Sequence, residues 1–181
     1  MPITITVPAV EMFDSETSML FEEPAVTLVL EHSLVSLSKW EAFFGKPFLG
    51  PDDKTTEETF GYIHAMCLDD TVPLSVIHRI DNELFKQINE YIDRKMTATW
   101  FSDRPGATRN REIVTSEIIY YWMVTLNIPK ELETWHLNRL FTQIKVINEK
   151  NAPPKKMSKA EIAARHREIN ARNKAKLGTS G

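Results

Sequence analysis

The chain of 181 residues holds one cysteine and six glycines, and each scarcity excludes something. A lone thiol, Cys67, cannot build a disulfide framework and suits a reducing compartment. The glycines stand isolated, so no glycine-rich loop cradles a phosphate. Long apolar runs are missing as well. A membrane span needs roughly 18 consecutive apolar residues, and Ile118 to Leu126 supplies about half of that. The N-terminal run MPITITVPAVEMF lacks the basic start and apolar block of a secretion signal. Aromatic residues are absent from 155–181, which denies that end the stacking platforms of single-strand nucleic-acid binders. These absences predict a soluble cytoplasmic protein with no cofactor and no membrane partner.

What is present suffices for a core. Four tryptophans and nine phenylalanines accompany a hydrophobic fraction of 42% and a charged fraction of 26%, ordinary values for a globular domain. The length fits one domain with an appendage. The net charge of −3 conceals an asymmetry. Residues 1–154 carry 14 basic against 23 acidic side chains, and residues 155–181 carry 8 against 2. An acidic body with a basic tail is the strongest compositional signal. The acidic body would repel nucleic acid.

The stretch Glu112 to Asn151 organises the expected fold. Ile113, Val114 and the run Ile118 to Leu126 are apolar almost all round, the pattern of a buried helix. Asn127-Ile128-Pro129 ends it. Pro129 then opens an amphipathic helix with Leu137, Leu140, Phe141, Ile144 and Ile147 on one face. Joined by a three-residue corner, the two predict a helical hairpin.

Upstream, Ile3 to Val7 and Val26 to Glu31 alternate apolar and polar residues, as half-buried strands do. They predict a long β-hairpin with its tip at Asp14-Ser15-Glu16-Thr17. Pro8 and Pro24 lie opposite each other about that tip, so the distal half should bend away. Such a hairpin is marginal alone and needs the helices or a neighbouring subunit. Capping patterns start helices at Ser38, with Ser36 as an alternative, at Thr55 with Glu58, and at Asp81, the last running to about Ile92. Gly45 stops the first, and Leu74 to His78 suits a single turn. Met96 to Arg111 is irregular. Its Arg104, Arg109 and Arg111 fit a contact loop or an ordinary solvated one. Asn110 is a candidate cap for the apolar helix. Past Asn151, Ala152-Pro153-Pro154 makes a stiff break. Ser158 with Glu161 then opens a polar helix to Leu177, roughly 30 Å long if formed and marginal without a partner.

Chemistry finds little support. The five histidines are scattered. His64-x-x-Cys67 shares a helical face but lacks a second ligand pair, so a structural role outweighs zinc. Nothing marks a base for Cys67. His136, beside Trp135, fits a packed residue better than a catalytic one. The expectation is a non-enzyme without catalytic, cofactor-binding or metal residues. The basic tail leaves three readings open: a helix that orders on an acidic protein partner, a nucleic-acid contact, or a solubilising extension. Its candidate partner-binding residues are Lys155, Lys156, Lys159, Arg165, Arg167, Arg172, Lys174 and Lys176.

Four blocks carry a family resemblance: LEHSLVSLSKWE (Leu30 to Glu41), MTATWFSD (Met96 to Asp103), NREIVTSEIIYYWMVTLNIP (Asn110 to Pro129) and WHLNRLFTQIKVINEKNAPPKKMSK (Trp135 to Lys159). Together they resemble the tail assembly chaperones of long-tailed phages of actinobacteria and related prophages. That family is similar in role to the G-type chaperones of phage lambda. The resemblance implies a homo-oligomeric protein that binds the tape measure protein, a long helical chain, and keeps it soluble and extended until the tail tube polymerises. It implies a place in the bacterial cytoplasm and absence from the mature virion. It also implies a longer product of a programmed frameshift that recruits the tail tube protein, this chain being the short product. The blocks mark membership and assign no residue a role. A small nucleic-acid-binding protein acting through the basic tail is the alternative.

The expected fold is therefore α+β and mainly α. A globular domain spans 1–152, with a β-hairpin over about 2–31 packed on helices over about 36–150 and a C-terminal helical hairpin as its core. A basic, partly helical tail covers 153–181.

Overall fold

The computed structural model describes residues 1–14, 19–101, 112–152 and 159–178. The fold is mixed α+β and mainly helical, with β-hairpins at the N-terminus. The chain divides into two compact units, Met1–Ile147 and Asn148–Gly181.

Four strands open the first unit: β1 (Ile3–Val7), β2 (Val10–Asp14), β3 (Met19–Glu23) and β4 (Val26–Leu30). β1 pairs antiparallel with β4, and β2 with β3, as two separate two-stranded sheets. The breaks fall at Pro8-Ala9 and Pro24-Ala25, because proline donates nothing to a ladder. An interrupted ladder leaves carbonyls over, and Arg79 takes them. Its guanidinium donates to the carbonyl oxygens of Pro8 and Pro24 and pairs with Glu23 at 3.0 Å. The proximal sheet alternates as the sequence predicts. Ile5, Val7, Leu28 and Leu30 are buried, while Thr4, Thr6, Thr27 and Val29 face out. The expected tip residues 15–18 lie outside the described residues.

Helix α1 (Leu34–Phe44) begins earlier than the capping pattern at Ser38 suggests. Ser33 is the cap, and it exchanges hydrogen bonds with Ser36 in a reciprocal box. Ser38 therefore lies inside the helix, and Glu41, its expected partner, accepts from Phe48 and Ser116 instead. Gly45 ends α1 at a φ of 65°, a conformation glycine adopts without a Cβ penalty. Helix α2 (Thr56–Met66) carries the predicted Thr55–Glu58 capping box. A single turn, α3 (Leu74–Ile77), and the Asp81-capped α4 (Asn82–Ile92) follow. β1 and β4, α2, α3 and α4 enclose one core, with Met66, Ile77, Ile88 and Tyr91 among its buried members.

Helix α5 (Ser116–Thr125) is shorter than the apolar run and is not buried all round. Ser116, Ile119 and Met123 are buried, yet Tyr121 is 66% and Val124 77% exposed. At about 100° per residue, Tyr121 and Val124 lie roughly 200° and 140° round the helix from Ile119 and so face away from α1, against which α5 packs. Its cap is Thr115; Asn110 and the arginines 104, 109 and 111 lie outside the described residues. The corner after α5 is longer than three residues, because a 3-10 helix (Lys130–Thr134) precedes α6 (Leu137–Asn151). α1, α5 and α6 share a second core of Leu34, Leu37, Ile119, Met123, Leu137, Leu140 and Ile144.

The second unit holds α7 (Lys159–Leu177), which has no buried residue. Pro153, Pro154 and Ser158 lie outside the described residues. No helix among the described residues is long and apolar enough to cross a membrane.

Candidate functional site

Two adjacent phenylalanines close α1. Neighbours on a helix point about 100° apart, so Phe43 and Phe44 cannot both enter one narrow core stripe. Trp40 takes the buried position, its indole N–H donating to the Glu58 carbonyl at 2.7 Å. The Phe44 ring lies tilted against it, with ring centroids 4.8 Å apart. Phe43 is left 82% exposed. Gly61 on α2 lets the two helices come close here: a Cβ at that position would lie 2.7 Å from the Phe44 ring.

The result is a groove of about 690 Å³ bounded by α1, α2 and α3. Trp40, Phe43, Phe44, Gly61, Ala65 and Leu74 make its apolar walls. Lys39, Glu57, His64, Asp70 and His78 stand among its polar lining. Lys39 and Asp70 form an ion pair at 2.6 Å. His64 is held by the Val72 carbonyl at 2.9 Å, so its ring braces the α2–α3 connection. The groove is an apolar trough with charged and imidazole groups at its edge, the lining of the grooves that bind amphipathic helices elsewhere.

A buried polar seam lies where the two cores meet. Glu31, His32, Ser33 and His136 are all buried. The Tyr91 hydroxyl donates to Glu31, and His32 Nδ1 pairs with the Tyr62 hydroxyl at 2.6 Å. His136 Nδ1 accepts from the Asn138 N–H at 3.3 Å, so its Nε2 carries the proton and donates to the Tyr91 carbonyl at 3.1 Å. Burial, then the neighbouring His136, holds His32 down to about 3. Burial also lowers His136. Both rings are therefore neutral structural ties at neutral pH.

Cys67 is buried, and burial pushes its thiol up to about 11, which removes the thiolate a nucleophile needs. No group of three or more His, Cys, Asp or Glu among the described residues is placed to hold a metal.

Of the tail residues named from the sequence, Lys155 and Lys156 lie outside the described residues. Lys159, Arg165, Arg167, Arg172, Lys174 and Lys176 are all exposed on α7. They do not form one patch. The helical repeat puts Arg165, Arg172 and Lys176 along one flank and Arg167 with Lys174 along another. The groove itself was not foreseen from the sequence. The usable signal was Phe43-Phe44 directly before a terminating glycine, which forces one ring outward.

Comparison with known proteins returns no matching family model, no matching curated protein and no matching solved structure.

Proposed function

We propose that this chain is a non-enzymatic chaperone that holds apolar helical segments of an extended client. Within that class, we propose a phage tail assembly chaperone whose client is the tape measure protein. The observation that carries the reading is the α1–α2–α3 groove, with Phe43 82% exposed at its wall. Leaving a phenylalanine ring in water forgoes about 1.5–3 kcal/mol of burial, and a client helix laid in the groove recovers it. The sequence blocks from Leu30 to Lys159 support the choice of client. Several copies on one long client give a reversible grip through modest contacts repeated many times. In this reading the protein works in the host cytoplasm and is absent from the finished virion. The tail tube protein is recruited by a longer frameshifted product.

Co-expression with the tape measure protein, followed by size-exclusion chromatography with light scattering, tests this. The expected result is a soluble complex with many copies of this chain per client, surviving high salt. Phe43→Asp should abolish the complex while leaving the thermal midpoint of the free chain nearly unchanged. An insoluble client, or a complex indifferent to Phe43→Asp, would count against the groove. Binding to DNA that collapses steeply with salt would favour the basic tail instead.

A further inference from the structure

The distal ribbon β2–β3 leaves both faces in water. On one face the register sets Glu11 directly opposite Glu22, and Phe13 opposite Leu20 one step further out. Phe13 is 63% and Leu20 72% exposed. A two-stranded ribbon is marginal by itself, and like charges directly opposite weaken it further. Neither glutamate forms an ion pair with another described residue. The face thus lacks a surface that is cationic and partly apolar.

Helix α7 has that character. Ile162 and Ile169 fall on one stripe, 42% and 44% exposed, and Arg172 and Lys176 continue along its edge. The helix has no buried residue, and an unpartnered polar helix is marginal in water. The spacings agree. Phe13 and Glu11 are two residues apart on a strand, about 7 Å. Arg172 and Lys176 lie about 4.5 and 10.5 Å beyond Ile169 along the helix axis, bracketing that distance.

We propose that the β2–β3 ribbon of one copy docks on α7 of a second copy. Ile169 covers Phe13 and Leu20, and Arg172 and Lys176 face Glu11 and Glu22. Charge complementarity selects the occupant: opposed glutamates meet the C-terminal half of α7, where Arg172, Lys174 and Lys176 follow Glu168 with no further acid. The contact uses none of the residues that line the groove.

Sedimentation velocity of the full chain over a range of protein and salt concentrations tests the contact without any client. The expected result is reversible self-association that weakens as salt rises. Reversing the ribbon with Glu11→Lys and Glu22→Lys should weaken it at least about tenfold, and so should reversing the helix with Arg172→Glu and Lys176→Glu. Mixing the two reversed variants should restore association, because each then offers a surface complementary to the other. All four positions are exposed, and circular dichroism checks that the variants stay folded. A concentration-independent monomer would overturn the proposal, including the case in which α7 covers the ribbon of its own chain. Variants that associate like the wild type, or a mixture that fails to recover, would overturn it too. Failure here leaves the client-binding groove standing, and loss of client binding leaves this contact standing.

Discussion

Glu41 shows how one side chain can serve two distant backbones. Its Oε1 accepts from the Phe48 N–H at 2.8 Å and its Oε2 from the Ser116 N–H at 2.7 Å. The first bond shapes the loop after α1. The second satisfies a free donor at the start of α5, where negative charge also meets the favourable end of the helix dipole. Glu41→Ala should therefore destabilise the fold by roughly 3 kcal/mol, read from urea denaturation; a loss under about 1 kcal/mol would mean water replaces the carboxylate. The buried histidines act through pH. His32 and His136 are both depressed in the folded state, so the unfolded chain binds protons first as pH falls. Stability is full above the unfolded value of 6.5, and the His32 part declines until pH reaches about 3. Each ring contributes a slope of up to about 1.4 kcal/mol per pH unit. Melts between pH 7 and 5 should show the decline before most carboxylates titrate, and a flat profile there would rule out neutral buried rings.

Close approach of α1 and α2 at Gly61 decides the shape of the groove. Gly61→Ala adds about 1 kcal/mol of helix propensity and drives the Phe44 ring from its place. These terms oppose each other at similar size, so the thermal midpoint should move little while client binding falls. Unaltered binding in a client pull-down would show that the ring yields elsewhere and that the groove keeps its volume. The ribbon poses a second question at this scale. Arg79 bridges both interrupted strands, at the Pro8 and Pro24 carbonyls. Arg79→Met should loosen β2–β3 while the proximal β1–β4 sheet holds. Amide hydrogen exchange should then rise from Val10 to Glu23 and stay low from Val26 to Leu30. A uniform rise over all four strands would mean the two sheets open together.

Across the whole molecule, burial is uneven. The first unit has two cores joined by a polar seam, whereas α7 has no buried residue along its 19 positions. Helix amides without tertiary cover open locally at little cost. In dilute solution the α7 amides should exchange close to the rate of an open chain, while those of α2 stay protected. Raising the protein concentration should protect α7 if a second copy covers it. Strong protection of α7 at the lowest concentration would show cover within one chain.

Local physics made much of the fold legible. Alternation in Ile3–Val7 and Val26–Leu30, the prolines that split the ribbon, the Thr55–Glu58 box, the Asp81 cap and the Gly45 stop are all encoded within a few residues. So is the extent of α7, apart from Ser158. Long-range partners were not legible. Ser33, not Ser38, caps α1 through its box with Ser36, and the carboxylate of Glu41 is engaged instead by Ser116, 75 residues away. The apolar run before Asn127 predicts full burial, yet packing covers only one side of α5 and leaves Tyr121 and Val124 in water. The groove depends on Gly61 meeting Phe44, a contact that no local pattern announces. Capping, turn formation and periodicity are short-range effects that a sequence carries in order. Which side chain meets which, and which apolar surface is left open, follows from chain crossings that only tertiary packing decides.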